Sequence, residues 1–246
     1  MISAQPFRKL CGGLLDLALP PRCAGCAEII TDVDGFCVNC WSQINWLGES
    51  GCTCCGLPLE ATEADMCGRC VAHPPPLDRM RAAVAYGDVP RTIALKLKYG
   101  RKIALARTMA RYMAPLLGPA NDDSVVVPVP LHRWRLWNRG FNQSGLIARE
   151  LGRRWNLPVD DQLLFRAKRT PPLKGMNYKQ RHSAVRGAFG IAPTLRLDGR
   201  TIVLIDDVLT SGSTAEACAR TLRKAGAARV ELISWARVVR PSPLMR

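Results

Sequence analysis

The stretch Thr201 to Thr214, TIVLIDDVLTSGST, does most to limit what this chain can fold into. Its apolar run, Ile202 to Ile205, reads as a buried strand. The run ends in two adjacent carboxylates, Asp206 and Asp207, and then a hydroxyl-rich loop, Thr210, Ser211, Gly212, Ser213 and Thr214. Ala215 to Ala225 has helical composition, and Gly226 stands where a helix would stop. Strand, polar loop and helix in that order predict an open α/β sheet, in which ligands sit at the carboxyl ends of the strands. Loop N–H groups at a helix N-terminus favour a phosphate. Two acids beside a phosphate cradle repel the ligand unless they face another part of it, such as sugar hydroxyls. The stretch therefore predicts a site for a ribose 5-phosphate group.

Val203 to Thr214 resembles the phosphoribosyl diphosphate (PRPP) binding motif of type I phosphoribosyltransferases. The resemblance implies that Asp206 and Asp207 hold the ribose hydroxyls and that Thr210 to Thr214 hold the 5-phosphate. Neither Gly-x4-Gly-Lys-Ser/Thr nor Gly-x-Gly-x-x-Gly occurs, which argues against NTPase and dinucleotide chemistry.

Ten of the eleven cysteines fall before residue 71. Eight form Cys-x-x-Cys pairs: Cys23/Cys26, Cys37/Cys40, Cys52/Cys55 and Cys67/Cys70. Each pair places two thiolates on one knuckle, and two knuckles complete a tetrahedral Zn²⁺ site. Short separations favour sequential pairing, with Cys23, Cys26, Cys37 and Cys40 on one structural zinc and Cys52, Cys55, Cys67 and Cys70 on a second; crossed pairing stays open. Cys54 is left as a spare thiol, and Gly56 gives its knuckle backbone freedom. Disulfides would need an oxidising compartment, and no sign of secretion is read here. About fifty residues bury little apolar core, so the metals supply stability. Trp41 and Trp46, between the two sites, read as packing residues.

The formal net charge of +15 is uneven: residues 1–80 carry 5 Lys/Arg against 9 Asp/Glu, and residues 81–246 carry 30 against 11. The basic part suits a polyanion such as nucleic acid, or is a solvated surface. No run of about 18 apolar residues occurs, so no membrane span is expected. Arg8 and Lys9 precede a short apolar patch broken by Asp16, which is not a signal-peptide pattern. A cytoplasmic location is the expectation.

His73 to Pro76 reads as a stiff hinge. Beyond it, Arg81 to Tyr86 reads as a strand, and Pro90 to Lys98 and Arg101 to Leu117 as helices. Lys96 and Lys98 are taken as solvent charges in preference to anion contacts. Ser124 to Pro130 is a second strand, ended by Pro128 and Pro130. A loop from Leu131 to Asn142 carries Arg133, Arg135 and Arg139, and a helix runs from Gly145 to Trp155. A cis bond before Pro130 is left open.

The cysteine module, Lys98-Tyr99, Pro128-Val129-Pro130, Arg139 to Ser144 (RGFNQS), Arg181, Gly187 to Phe189 and the Asp206-Asp207 motif together resemble the ComF family over residues 21–238. The resemblance implies an α/β fold: a type I phosphoribosyltransferase-like parallel sheet flanked by helices, with a small N-terminal zinc-ribbon module. The expected parts are a helical segment at 1–20, a double zinc ribbon at 21–73 and a phosphoribosyltransferase-like domain at 74–240. PRPP or a nucleotide-like ligand would bind with Mg²⁺. Asp206, Asp207 and Arg139 would act in catalysis; Thr210 to Thr214, Val129, Pro130, Leu131 and Arg181 would bind substrate. Family members are linked to natural DNA uptake, so single-stranded DNA and a DNA-uptake helicase or other protein are the implied partners.

Two departures from the family pattern stand out. Ala184 occupies a position usually held by Asn, and Pro171 to Lys174 lacks a Gln often found there. The sequence thus supports a phosphoribosyltransferase with an unidentified acceptor. Its rival is a non-catalytic module that uses the same pocket for sensing or for single-stranded DNA.

Overall fold

The computed structural model describes residues 20–48, 51–59, 64–117, 123–170, 175–176, 178–192 and 197–239. The expected helix at 1–20, apart from Pro20, and the segment 171–174 lie outside them. The described elements are α1 (Val38–Ser42), α2 (Gly68–Ala72), β1 (Arg79–Ala85), α3 (Asp88–Tyr99), α4 (Leu105–Met113), β2 (Ser124–Pro128), α5 (Arg133–Arg139) and α6 (Gln143–Trp155). They continue with β3 (Leu164–Arg166), α7 (Tyr178–Val185), β4 (Phe189–Ile191), β5 (Thr201–Leu209), α8 (Ser213–Lys224) and β6 (Arg229–Arg237). A 3-10 turn, Ala114–Leu116, follows α4.

β1, β6, β5 and β2 form a parallel sheet in that order, and β3 pairs with β4 antiparallel. Strands covered on both faces read as nearly continuous apolar runs, and every residue of β2 is buried. One face of the sheet, through Ile202, Leu204 and Val230, packs on Cys218 and Leu222 of α8. The other, through Val203, Ile205 and Trp235, packs on Ile93, Met109, Ile147 and Leu151 of α3, α4 and α6.

The cysteine-rich segment is divided between these two cores. Cys52, Cys55, Cys67 and Cys70 join the α8 face, and Cys23, Cys37 and Cys40 join the opposite one. It therefore straddles the β1 side of the sheet. Asn45–Leu47 lies antiparallel along β1, with Leu47 N–H donating to Ala83 O at 3.0 Å and Ala85 N–H to Asn45 O at 2.8 Å. On the far side, residues 158–160 flank β2, where Val126 N–H donates to Pro158 O at 2.9 Å and Asp160 N–H to Val126 O at 3.0 Å. Both outer strands are thus covered, which blunts edge pairing. Trp41 and Trp46 stack with centroids 4.5 Å apart, and Tyr112 lies 4.9 Å from Trp46.

Several expected boundaries move. β5 does not stop before the acids but runs through them to Leu209, with Asp206 in register with Ser234 of β6. The arginine-rich loop contains α5, a helix without a buried residue and hence without an apolar stripe to announce it. The helix expected from Arg101 starts at Leu105, because Arg101 sits at φ 52°, outside the helical region. No cis peptide occurs among the described residues.

Candidate functional site

The thiols gather as the short spacings predict. The ligand atoms of Cys23, Cys26, Cys37 and Cys40 lie within 4.8 Å of one another, as do those of Cys52, Cys55, Cys67 and Cys70. Cys26 Sγ and Cys37 Sγ are 3.6 Å apart, and Cys55 Sγ and Cys67 Sγ 3.7 Å. Disulfide sulfurs would be about 2.05 Å apart. Tetrahedral zinc with Zn–S near 2.3 Å sets thiolates about 3.8 Å apart. Both groups fit a structural Zn²⁺.

The two groups repeat one local design. Cys37 N–H donates to Cys23 Sγ at 3.3 Å, and Cys67 N–H to Cys52 Sγ at 3.3 Å. Such donors spread thiolate charge into the backbone. Gly56 takes φ 67°, and a Cβ there would stand 2.5 Å from Met80 O. Cys54 stays outside the second group, with its Sγ 3.9 Å from Leu77 O and burial pushing its thiol pKa up.

Charge is also arranged around the second group. Arg81 and Arg237 are 7% and 8% exposed. Arg81 Nη1 donates to Cys52 O at 3.3 Å and Thr53 O at 3.1 Å, while Arg237 Nη1 donates to Cys55 O. Zinc with four thiolates carries a net charge of about −2, which two buried guanidiniums balance.

Three consecutive residues, the N-cap and first two positions of α6, join the acid pair to the end of β2. Asn142 Nδ2 donates to Val129 O at 3.1 Å, Gln143 Nε2 to Asp207 Oδ1 at 3.5 Å, and Ser144 Oγ to Asp206 Oδ1 at 3.2 Å. The RGFNQS run thus ties the end of β2 to the acids of β5. Gly140, at φ 83°, ends α5 and lets the chain turn into the run. Arg139 Nη1 donates to Gln143 Oε1, and its guanidinium lies 5.2 Å from the Tyr99 ring centroid.

Lys98 completes this cluster and is not the solvent charge that its sequence context suggests. Its Nζ forms an ion pair with Asp207 Oδ2, in a site where Asp207 is 3% exposed. Burial pulls the Lys98 pKa down, but the Asp207 carboxylate outweighs it and the net shift is upward. Lys96 is engaged too, with Nζ 2.6 Å from Gly25 O in the first metal knuckle.

Asp206 is half-buried, and its pKa is raised from 3.8 to about 7, first by burial and then by the charge of Asp207. An acid with a raised folded pKa penalises the fold once ionised. The cost is absent below the unfolded value, grows between it and about 7, and is constant above. Asp206→Asn is therefore expected to gain stability relative to the native chain as pH rises from about 5 to 7, then hold that gain to about pH 8. Urea unfolding of both proteins across that range checks this; a constant difference at every pH would refute it.

The remaining expected site residues fall in two further places. Thr210, Ser211, Gly212 and Arg181 line a cavity of 490 Å³. Gly212 is the N-cap of α8 at φ 82°, Ser213 is the first residue of that helix, and Ser211 Oγ lies 2.9 Å from Ser213 Oγ. Thr214 is half-buried on the first turn. Arg181 Nε donates to Met176 O at 2.8 Å. Pro130 and Leu131 line a separate cavity of 700 Å³ with Arg133, Phe141 and Phe165. Val129 N–H donates to Ile205 O at 2.9 Å, so this donor belongs to the sheet.

His132 Nδ1 accepts from Trp134 N–H at 3.3 Å and caps α5. Burial, then Arg133, pushes the His132 pKa down. Among the described residues no helix is long and apolar enough to cross a membrane. Sequence reasoning also missed Arg69, whose Nη2 reaches Ser211 O at 3.4 Å from 142 positions away. Its place between two metal-binding thiols was the available signal.

Comparison with known proteins agrees with this anatomy. Residues 14–71 match the double zinc ribbon domain, and residues 143–240 match the phosphoribosyl transferase domain. Competence protein F of Haemophilus influenzae is 27% identical over 245 residues, covering 96% of this chain and 100% of its own. DNA utilization protein YhgH of Escherichia coli is 31% identical over 205 residues, covering 80% of this chain and 88% of its own. Competence protein ComFC of Bacillus subtilis is 25% identical over 200 residues, covering 78% and 79%. With paired four-thiol knuckles seated on a parallel sheet of phosphoribosyl transferase type, the chain belongs to the ComF family.

Proposed function

We propose that this protein binds PRPP, or the 5-phosphate end of a nucleotide, and transfers the phosphoribosyl group to an acceptor. The observation that carries this reading is the β5–α8 junction. Two acids held by Lys98, Gln143 and Ser144 stand on the strand that leads directly into a loop capped by Gly212. The match of residues 143–240 to the phosphoribosyl transferase domain supports it.

In such a reaction diphosphate leaves C1 of the ribose, and negative charge grows on the leaving group. Arg139 and Lys98 supply cations near the acids. Mg²⁺ bound with PRPP would offset the diphosphate charge. Asp206 and Asp207 orient the sugar. Relatives named for competence and for DNA utilization support a role for this activity in DNA uptake or DNA use. Calorimetric titration with PRPP and Mg²⁺ tests the reading, with saturable binding as the expected result and absence of binding as its refutation. Diphosphate release with a supplied base distinguishes transfer from binding alone.

A second reading, a single-stranded DNA-binding module, is favoured by α5. Trp134 and Trp137 are 55% and 79% exposed, among Arg133, Arg135 and Arg139 of the same helix. The Arg169 guanidinium lies 5.6 Å from the Trp134 ring centroid. Exposed aromatic faces interleaved with cations suit stacked bases and phosphates. Trp137→Ala is expected to weaken oligothymidylate binding roughly fivefold or more, while leaving PRPP affinity unchanged. Native binding should fall steeply with salt. A flat salt response or an unaffected Trp137→Ala variant would count against this reading.

A further inference from the structure

The loop Thr210 to Thr214 carries hydroxyl and N–H donors but no cation. A phosphate dianion is held more strongly where guanidinium groups join such donors. The 490 Å³ cavity lined by Thr210, Ser211 and Gly212 is bounded elsewhere by Cys67, Arg69 and Cys70 of the second zinc ribbon.

Arg69 sits between two zinc-binding thiols on α2, a helix of five residues. A helix that short does not hold its shape unaided, so the metal site positions Arg69. The guanidinium lies 3.4 Å from Ser211 O and 3.5 Å from Glu216, while 54% of the side chain is exposed. It therefore stands at the rim of the cavity that it lines. Glu216 also meets Arg220 at 3.3 Å, so its carboxylate is already balanced when an anion arrives.

Arg237 lines the same cavity and is 8% exposed. Its Nη1 donates to Cys55 O, which fixes the guanidinium against the ribbon. Its guanidinium places a second positive charge on the wall of that cavity, of the kind that holds a phosphate oxygen.

We propose that the second zinc ribbon is a wall of the ligand site, and that Arg69 and Arg237 contact the 5-phosphate of a pentose phosphate opposite the loop. The proposal rests on the pentose-phosphate reading above. It gives the ribbon a part in ligand binding, because the metal that fixes Cys67 and Cys70 also fixes Arg69.

Ribose 5-phosphate is the discriminating probe, since it carries the 5-phosphate without the diphosphate. In calorimetric titrations of the zinc-loaded full chain, Arg69→Ala is expected to weaken ribose 5-phosphate and PRPP by a similar factor, roughly tenfold or more. Arg69→Lys should lose less, and both variants should keep zinc in both thiol groups. If Arg69 merely tethers the ribbon, Arg69→Ala will lower the unfolding midpoint and leave both affinities alone; that result overturns the proposal. A native chain that binds neither ligand overturns the pentose-phosphate reading, and this one with it. If native and Arg69→Ala chains bind both ligands equally, only the ribbon contact falls.

Discussion

Cys52→Ser is expected to destabilise the whole chain, not only the ribbon that carries the thiol. Cys52 is fully buried, and its Sγ accepts from the N–H groups of Cys55 and Cys67. Loss of the metal would leave neutral thiols where a dianionic cluster stood. Arg81 and Arg237 would then keep their charges in the interior beside the Cys52, Thr53 and Cys55 carbonyls, without the cluster's countercharge. Stranding a buried charge costs about 3–5 kcal/mol, a large part of the roughly 5–15 kcal/mol that holds a typical domain. The loss should reach β1 and β6, which carry these arginines.

Cys26→Ser, at an exposed ligand of the first group, is the matched comparison. That group has Lys96 on Gly25 O nearby, a cation less buried than the two arginines. Its loss should be clearly smaller. Zinc content and urea unfolding of both variants provide the readout. Equal destabilisation, or full zinc content in Cys52→Ser, would refute the charge-balance account.

Asp207→Ala should abolish most PRPP affinity, by roughly a hundredfold, with a stability loss of about 1–3 kcal/mol. The carboxylate is the meeting point of Lys98 and Gln143, and through Gln143 it connects to Arg139. Removing it takes away a sugar-binding group in the proposed reaction and also frees the cations that should wait for the diphosphate. Lys98 would retain only the weaker field of Asp206. Calorimetry with PRPP and Mg²⁺, alongside urea unfolding, separates the two effects. Native affinity in a folded Asp207→Ala chain would remove Asp207 from the site.

The parts legible in the sequence are those set by nearby residues. The zinc groups followed from short spacings within Cys23–Cys40 and Cys52–Cys70. β5, its loop and α8 followed from an apolar run, a polar break and a helical stretch. What escaped depends on residues far apart in the chain. Lys98 ends a helix like any exposed lysine until β5 brings Asp207 to it. The continuation of β5 through two acids requires Lys98, Ser144 and the β6 ladder, none of them local. RGFNQS was visible as a motif, but its three consecutive contacts to Val129, Asp207 and Asp206 exist only once α6 packs on β5. α5 buries nothing, so its sequence carried no periodic signal.

Among the described residues, the ribbon segment along β1 and the chain beside β2 occupy outward peptide groups at the middle of both outer strands of the central sheet. That cover opposes docking of an extended peptide by addition to the sheet. Partners must instead be told apart by side-chain chemistry, and the same shielding protects a concentrated solution of the chain from fibril growth through its most apolar layer.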